Sequence, residues 1–178
     1  MMTLLVFLFV GAEESHGEEK LFFLSPGVNG YFPTDSKTRD AFGDAWWSLG
    51  VSLNLESLTG GFEAAGFNLT PYFGLYYGEK DDNDAWIIPV GLQARWNFSD
   101  AGILRPYAGI GLAGYGIRFE DRAAGVDTGW RGAWGGRLML GMDITRWFNI
   151  EAAYNFISDV KDYDLSGFSV QGKFKIYF

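Results

Sequence analysis

At 178 residues the chain has the length of a single domain. Its 25 glycines and 18% aromatic residues, set against five prolines, exclude a disordered chain. The absence of cysteine removes disulfides, thiolate metal sites and cysteine nucleophiles. A net charge of −8 without clustered Lys and Arg excludes a nucleic-acid partner.

The chain opens on an apolar run, residues 3–12, of about ten residues against the roughly 20 that a membrane-spanning helix needs. The run has the length of a signal-peptide core. Val10-Gly11-Ala12 offers a small-residue cleavage site before Glu13, Glu14, Glu18 and Glu19. The expected division is therefore a signal peptide and acidic segment over residues 1–19 and a folded domain over 20–178. The alternative for the apolar run is a disordered tail or an additional first strand.

From Lys20 onward the apolar period is two, which is the period of strands with one apolar face. Strand 1 is expected over 21–33. In strand 2, Trp47, Leu49, Val51, Leu53 and Leu55 share one face, and Trp46, Ser48, Gly50, Ser52 and Asn54 the other. Strand 3 covers 62–77. In strand 4, Ile88, Val90, Leu92, Ala94, Trp96 and Phe98 oppose Gly91, Gln93, Arg95 and Asn97. Strand 5, over 104–119, changes parity: Leu104, Ala108, Ile110 and Leu112 lie on one face, Ile117 and Phe119 on the other. A bulge between Gly114 and Gly116 would restore a single apolar face. Strands 6 and 7 cover 134–144 and 148–157. In strand 8, Phe168, Val170, Phe174, Ile176 and Phe178 oppose Ser169, Gln171, Lys173, Lys175 and Tyr177. Pro89 and Pro106 stand inside expected strands, where each removes a ladder donor.

The connections 34–45, 57–61, 78–85, 99–103, 120–133, 145–147 and 158–166 alternate long and short. That is the layout of an all-β, eight-stranded antiparallel up-and-down barrel crossing a membrane, with short periplasmic turns, longer extracellular loops and both termini periplasmic. The seven tryptophans fall at strand ends, as amphipathic rings do at the two faces of a bilayer. Trp46, Trp47, Trp86, Trp130 and Trp134 mark the long-loop ends, and Trp96 and Trp147 the short-turn ends. From Trp86 to Trp96, about ten residues at roughly 3.3 Å each and a tilt near 40° span about 25 Å, the height of an outer-membrane apolar band.

The four long loops carry 13 of the 22 acidic and 6 of the 14 basic residues. Inward parity is expected for Arg95, Arg105, Arg137, Asp143, Glu151, Lys173 and Lys175, joined near strand ends by Arg118, Glu56 and Glu63. These charges must pair, because a lone buried charge costs several kcal/mol. Inward Tyr72, Tyr76, Tyr107 and Tyr115 interleave with Gly74, Gly91, Gly109, Gly111 and Gly141, so rings can cover glycines across the strands.

The strand Arg105-Pro106-Tyr107-Ala108-Gly109-Ile110-Gly111, the strand Ile150-Glu151-Ala152-Ala153-Tyr154 and the closing Lys173-Phe174-Lys175-Ile176-Tyr177-Phe178 together resemble the small bacterial outer-membrane β-barrel proteins of OmpA/OmpX type, within the wider porin-like barrels. The resemblance implies residence in the bacterial outer membrane, surrounded by its lipid and lipopolysaccharide, as a monomer. It also implies assembly by the barrel-assembly machinery, which reads a C-terminal strand ending in an aromatic residue such as Phe178.

Barrel enzymes of this kind rely on a histidine, and the sole histidine, His16, precedes every expected strand. The expectation is a non-enzymatic protein without catalytic, cofactor-binding or metal-binding residues and without a cofactor. Asp162-Tyr163-Asp164-Leu165-Ser166-Gly167 resembles half a calcium loop, but its twelfth position is Lys173 rather than Glu, and Lys80-Asp81-Asp82-Asn83-Asp84 reads as a solvated acidic loop. Two other functions fit the same strands: a narrow channel for small solutes, and a soluble lipocalin-type barrel with apolar residues inward.

Overall fold

The computed structural model describes residues 23–53, 68–98 and 104–177. The expected signal segment, His16, Glu56, Glu63 and Phe178 lie outside them. In chain order the elements are β1 (Phe23–Pro33), α1 (Ser36–Phe42), β2 (Trp46–Leu53), β3 (Asn68–Lys80), β4 (Asn83–Asn97), β5 (Arg105–Asp121), β6 (Val126–Asp127), β7 (Arg131–Asp143), β8 (Phe148–Ile157), β9 (Gly167–Phe174) and β10 (Ile176–Tyr177). All pairings are antiparallel, and the order β1-β2-β3-β4-β5-β7-β8-β9 closes where β1 pairs β9. β10 continues β9 in the same register along β1, the break falling beside Pro26, which has no N–H to donate. β9 and β10 are thus one stave, and the barrel has eight. The short β6 folds back on the outer end of β5.

The alternation of side chains matches the expected faces on β2, β4, β7, β8 and β9. Val28, Leu112, Leu140, Val170 and Phe174 are among the large apolar residues that project outward at half exposure or more. A sheet that is apolar around its outside and holds charges within cannot be a soluble barrel of the lipocalin kind, which needs the opposite arrangement. Trp47, Trp86, Trp130 and Trp134 mark the outer rim of this band and Trp96 and Trp147 the inner rim. Trp46 does not belong to the girdle: it is buried inside the barrel at 2% exposure, where its indole N–H donates to the carbonyl of Gly43 at 3.0 Å.

Three local expectations are corrected. β5 has no bulge, since its register runs unbroken against β4 from Glu120 to Tyr107 and against β7 from Ile117 to Arg105. Ile117 and Phe119 therefore face inward and are fully buried, while Arg118 faces outward. The parity change marks a change in what fills the interior. The expected loop 78–85 is a two-residue hairpin, because β3 and β4 pair out to Lys80 and Asn83, and Asp81 supplies the positive φ of 54° that the turn needs. Segment 34–45 contains α1, capped by Asp35, whose side chain accepts from the N–H of Thr38 at 2.8 Å.

Pro89 is accommodated by a gap in the β3–β4 ladder: pairing stops at Phe73–Val90 and resumes at Tyr76–Ile87. Gly74 lies under the Pro89 ring. Gly141 is likewise overlaid by its cross-strand neighbour Tyr107, and a Cβ there would stand 2.7 Å from the ring's Cε1. Gly132, on the outer face, has no atom within 4 Å of where a Cβ would go. Gly141→Ala is expected to lower barrel stability by roughly 1–3 kcal/mol, the usual effect of overpacking, whereas Gly132→Ala leaves it unchanged. Urea titration of the heat-modifiable gel migration in lipid measures both.

Candidate functional site

Two storeys of different chemistry fill the barrel. The lower, periplasmic storey is polar and centres on Glu151, which is 2% exposed. One oxygen of its carboxylate accepts from Arg137 at 2.9 Å and from Gln171; the other accepts from Tyr107 Oη at 2.8 Å and Lys173 Nζ at 3.1 Å. Asn149 donates to Tyr107 Oη at 2.9 Å. A second carboxylate, Asp143, bridges Arg95 at 2.5 Å and Lys175 at 2.9 Å. The two groups join through Tyr107, whose ring carries the Arg95 guanidinium 3.5 Å above its centre.

Strand alternation explains why these residues meet. They are inward positions of β4, β5, β7, β8, β9 and the residue between β9 and β10, held within reach by the closed register. Of the charges expected inside, Arg95, Arg137, Asp143, Glu151, Lys173 and Lys175 enter this network. Arg105 shares the inward parity at the half-buried lower mouth. Tyr107, Asn149 and Gln171 complete it, and inward parity alone was the signal that pointed to them. A cavity among Asn29, Tyr72, Arg137 and Lys173 measures about 10 Å³, the room of about one water.

The upper storey is aromatic and apolar. Tyr31, Tyr76, Tyr115, Ile87, Ile117 and Phe119 project into it from the staves. α1 closes it from above with Phe42, which packs on Phe119 at 5.3 Å and Tyr163 at 5.7 Å between ring centres. The segment between β8 and β9 completes the cap with Val160, Tyr163 and Leu165. Tyr31 Oη donates to the carbonyl of Leu165, and Thr38 Oγ1 donates to that of Asp164 at 2.8 Å. The Asp162–Gly167 segment is thus part of the cap, with Tyr163 and Leu165 buried and Asp162 exposed. Among the described residues no group of three or more His, Cys, Asp or Glu is placed to hold a metal ion.

One titratable pair ties the cap to the barrel beyond the tryptophan rim. Tyr163 Oη donates to Asp121 at 2.6 Å, and the N–H of Ala124 donates to the same carboxylate at 3.0 Å. The tyrosine hydroxyl holds the Asp121 carboxyl below its usual range. Burial, followed by the neighbouring carboxylate, pushes the Tyr163 phenol up to about 12.

No protein-family model matches the chain, and no curated protein matches it by sequence. Its fold is similar to that of solved outer-membrane proteins. Neisserial surface protein A superposes with a TM-score of 0.58 at 14% identity, over 87% of this chain and 97% of that one. The outer membrane enzyme PagL does so with a TM-score of 0.58 at 14% identity, over 85% and 98%. OprG from Pseudomonas aeruginosa gives 0.57 at 15% identity, over 88% and 95%. These likenesses establish the fold. With the apolar outer band and its tryptophan rims, that fold places the chain in a bacterial outer membrane.

Glu151→Ala leaves Arg137 and Lys173 buried without their shared carboxylate and is expected to destabilise the barrel by roughly 3–5 kcal/mol, read from urea unfolding in lipid vesicles. The lowered Asp121 pKa gives the cap a pH dependence of known sign. Its stabilisation is complete above the unfolded aspartate value of about 3.9 and is lost as pH falls through the folded value. At the alkaline end, the stabilisation from Tyr163 is lost as pH rises between about 10 and about 12. Proteolysis of the cap against pH, in the parent and in Asp121→Asn, should show the acid transition in the parent alone.

Proposed function

We propose that this chain, an outer-membrane β-barrel of the OmpA/OmpX type, is a non-enzymatic scaffold whose capped outer end is its interaction surface. The filled interior carries this reading. The ion-paired lower storey and the aromatic upper storey occupy an eight-stranded bore that is only wide enough for side chains. The rigid barrel then serves to present its loops, which is where rigid scaffolds place function.

The cap has the composition of a surface for a cationic partner. Asp40, Asp44, Glu79, Asp81, Asp82, Asp127, Asp159 and Asp162 are exposed there beside Lys37, Arg39, Lys80, Arg122, Arg131 and Lys161, and the half-buried Asp35, Asp84, Glu120 and Asp164 make the surface acidic overall. Its charge would speed the approach of a basic partner and would be screened by salt. The supply of residues supports the absence of catalysis. The sole histidine, His16, stands ahead of β1, so no strand or loop of the barrel holds a serine–histidine pair. The reading includes a monomer embedded among outer-membrane lipids and lipopolysaccharide and assembled through its C-terminal strand.

Two measurements test it. In planar bilayers the purified protein should give no single-channel steps above background, and reproducible steps would replace the scaffold with a channel. Proteoliposomes should be retained on a cationic polypeptide surface at low salt. Replacing Asp81, Asp82, Asp127 and Asp159 by Asn should abolish that retention, and retention unchanged by the four substitutions would remove the acidic cap from the account.

A further inference from the structure

The outer face of the barrel carries a groove near its extracellular rim that the scaffold reading does not use. Gly114 and Gly116 of β5 and Gly132 of β7 form its floor, and Ile88 and Val90 of β4 form one wall. Trp130 leans over it, its ring 3.9 Å from where a Cβ on Gly116 would stand. The groove measures about 530 Å³, within the size range of ligand-holding pockets. It is one of two apolar grooves on the lipid-facing surface, the other, of about 510 Å³, lying around Ala108 and Ala152.

A cation stands at its head. Arg118 follows Gly116 on the same outward face of β5, about 7 Å further toward the extracellular side, and is paired in register with Trp86. It is exposed and has no hydrogen-bond or ion-pair partner among the described residues. An arginine on the lipid face of a barrel costs about 2–4 kcal/mol at the midplane and roughly 0–1 at the interface. Its place in the tryptophan rim is therefore a tolerated one. Apolar groove below and free cation above, one strand step apart, match the order of parts in a lipid: acyl chain in the membrane, anionic phosphate at the interface.

We propose that this groove seats an acyl chain of an anionic, phosphate-bearing lipid of the outer leaflet, with the lipid phosphate on Arg118 and Trp130 packed along the chain. The proposal rests on the membrane-barrel reading of the fold. A second copy of the protein is the less suitable occupant, since a two-fold contact centred on the groove brings one Arg118 against the other.

The test uses the intact protein in phosphatidylcholine vesicles doped with phosphatidylglycerol or with phosphatidylcholine carrying brominated acyl chains. The fluorescence of Trp130 is isolated as the difference between the parent and Trp130→Phe. Brominated phosphatidylglycerol should quench this component with roughly fivefold preference over brominated phosphatidylcholine, the effect of one interfacial ion pair. Arg118→Gln should abolish the preference. Gly132→Leu, which projects into open space, should fill the groove and weaken quenching by both lipids without changing the heat-modifiable migration of the folded barrel. Equal quenching of the parent by the two lipids, a preference that survives Arg118→Gln, or undiminished quenching in Gly132→Leu would each overturn the proposal. Cross-linked dimers that shield Trp130 from both lipids would do the same in favour of a second copy. Failure of the parent to float with the vesicles would instead overturn the membrane reading itself.

Discussion

In a bilayer no backbone N–H or C=O can turn to water, so a spanning sheet must leave no edge. The pairing of β1 with β9 and β10 meets this requirement and determines the rest of the structure. Once the sheet is closed, every residue of a stave faces either lipid or the bore. The bore of eight staves is narrow, so the inward residues must satisfy one another. The same closure removes the need for a conventional apolar core throughout. The outside is apolar because lipid requires it, and the inside can be charged wherever each charge finds its partner.

The interior then divides by height. In the lower storey two carboxylates, Glu151 and Asp143, each hold two cations at hydrogen-bonding distance, with Tyr107 joining the groups. Such a network is costly to leave incomplete and has a single arrangement that satisfies it, which fixes the relative positions of the staves. In the upper storey the bore is closed by ring packing under α1 and the Val160–Leu165 segment, and the strands continue past the membrane rim as a support for the cap. The outward chemistry of the protein is thereby concentrated in two places, the acidic cap and the rim around Arg118.

Much of this was legible in the sequence because strand period and the bilayer impose the same alternation. The parity of β2, β4, β7, β8 and β9, the inward placement of Arg95, Arg137, Asp143, Glu151, Lys173 and Lys175, and the interleaving of inward tyrosines with inward glycines all followed from it. Part of what escaped traces to the assumption that one face stays apolar and outward along the whole stave. On β5 the inward face turns from small and polar to apolar at Tyr115, so Ile117 and Phe119 imitated a register shift and Arg118 was assigned to the wrong side. Trp46 shares the parity of Ser48 and was misplaced by its height alone, being a core ring at a level where girdle rings also occur. Beyond the membrane the alternation carries no apolar signal, which left the outer ends of β3 and β4 reading as a loop. The buried face of α1, Thr38, Ala41 and Phe42, has helical spacing but begins on a polar residue and spans little more than one turn, which gave too little apolar signal to mark it. Which cation meets which carboxylate depends on the stagger between staves, which no local pattern contains.

Hydrogen–deuterium exchange of the protein in lipid vesicles tests the closed barrel most directly, because closure makes β1 an interior stave rather than an edge. The amides of β1 and β9 should be protected as strongly as those of β4 and β5, from the tryptophan rim at one end to that at the other. Exchange of β1 at the rate of an unpaired strand, with β4 and β5 still protected, would show an open sheet and contradict closure.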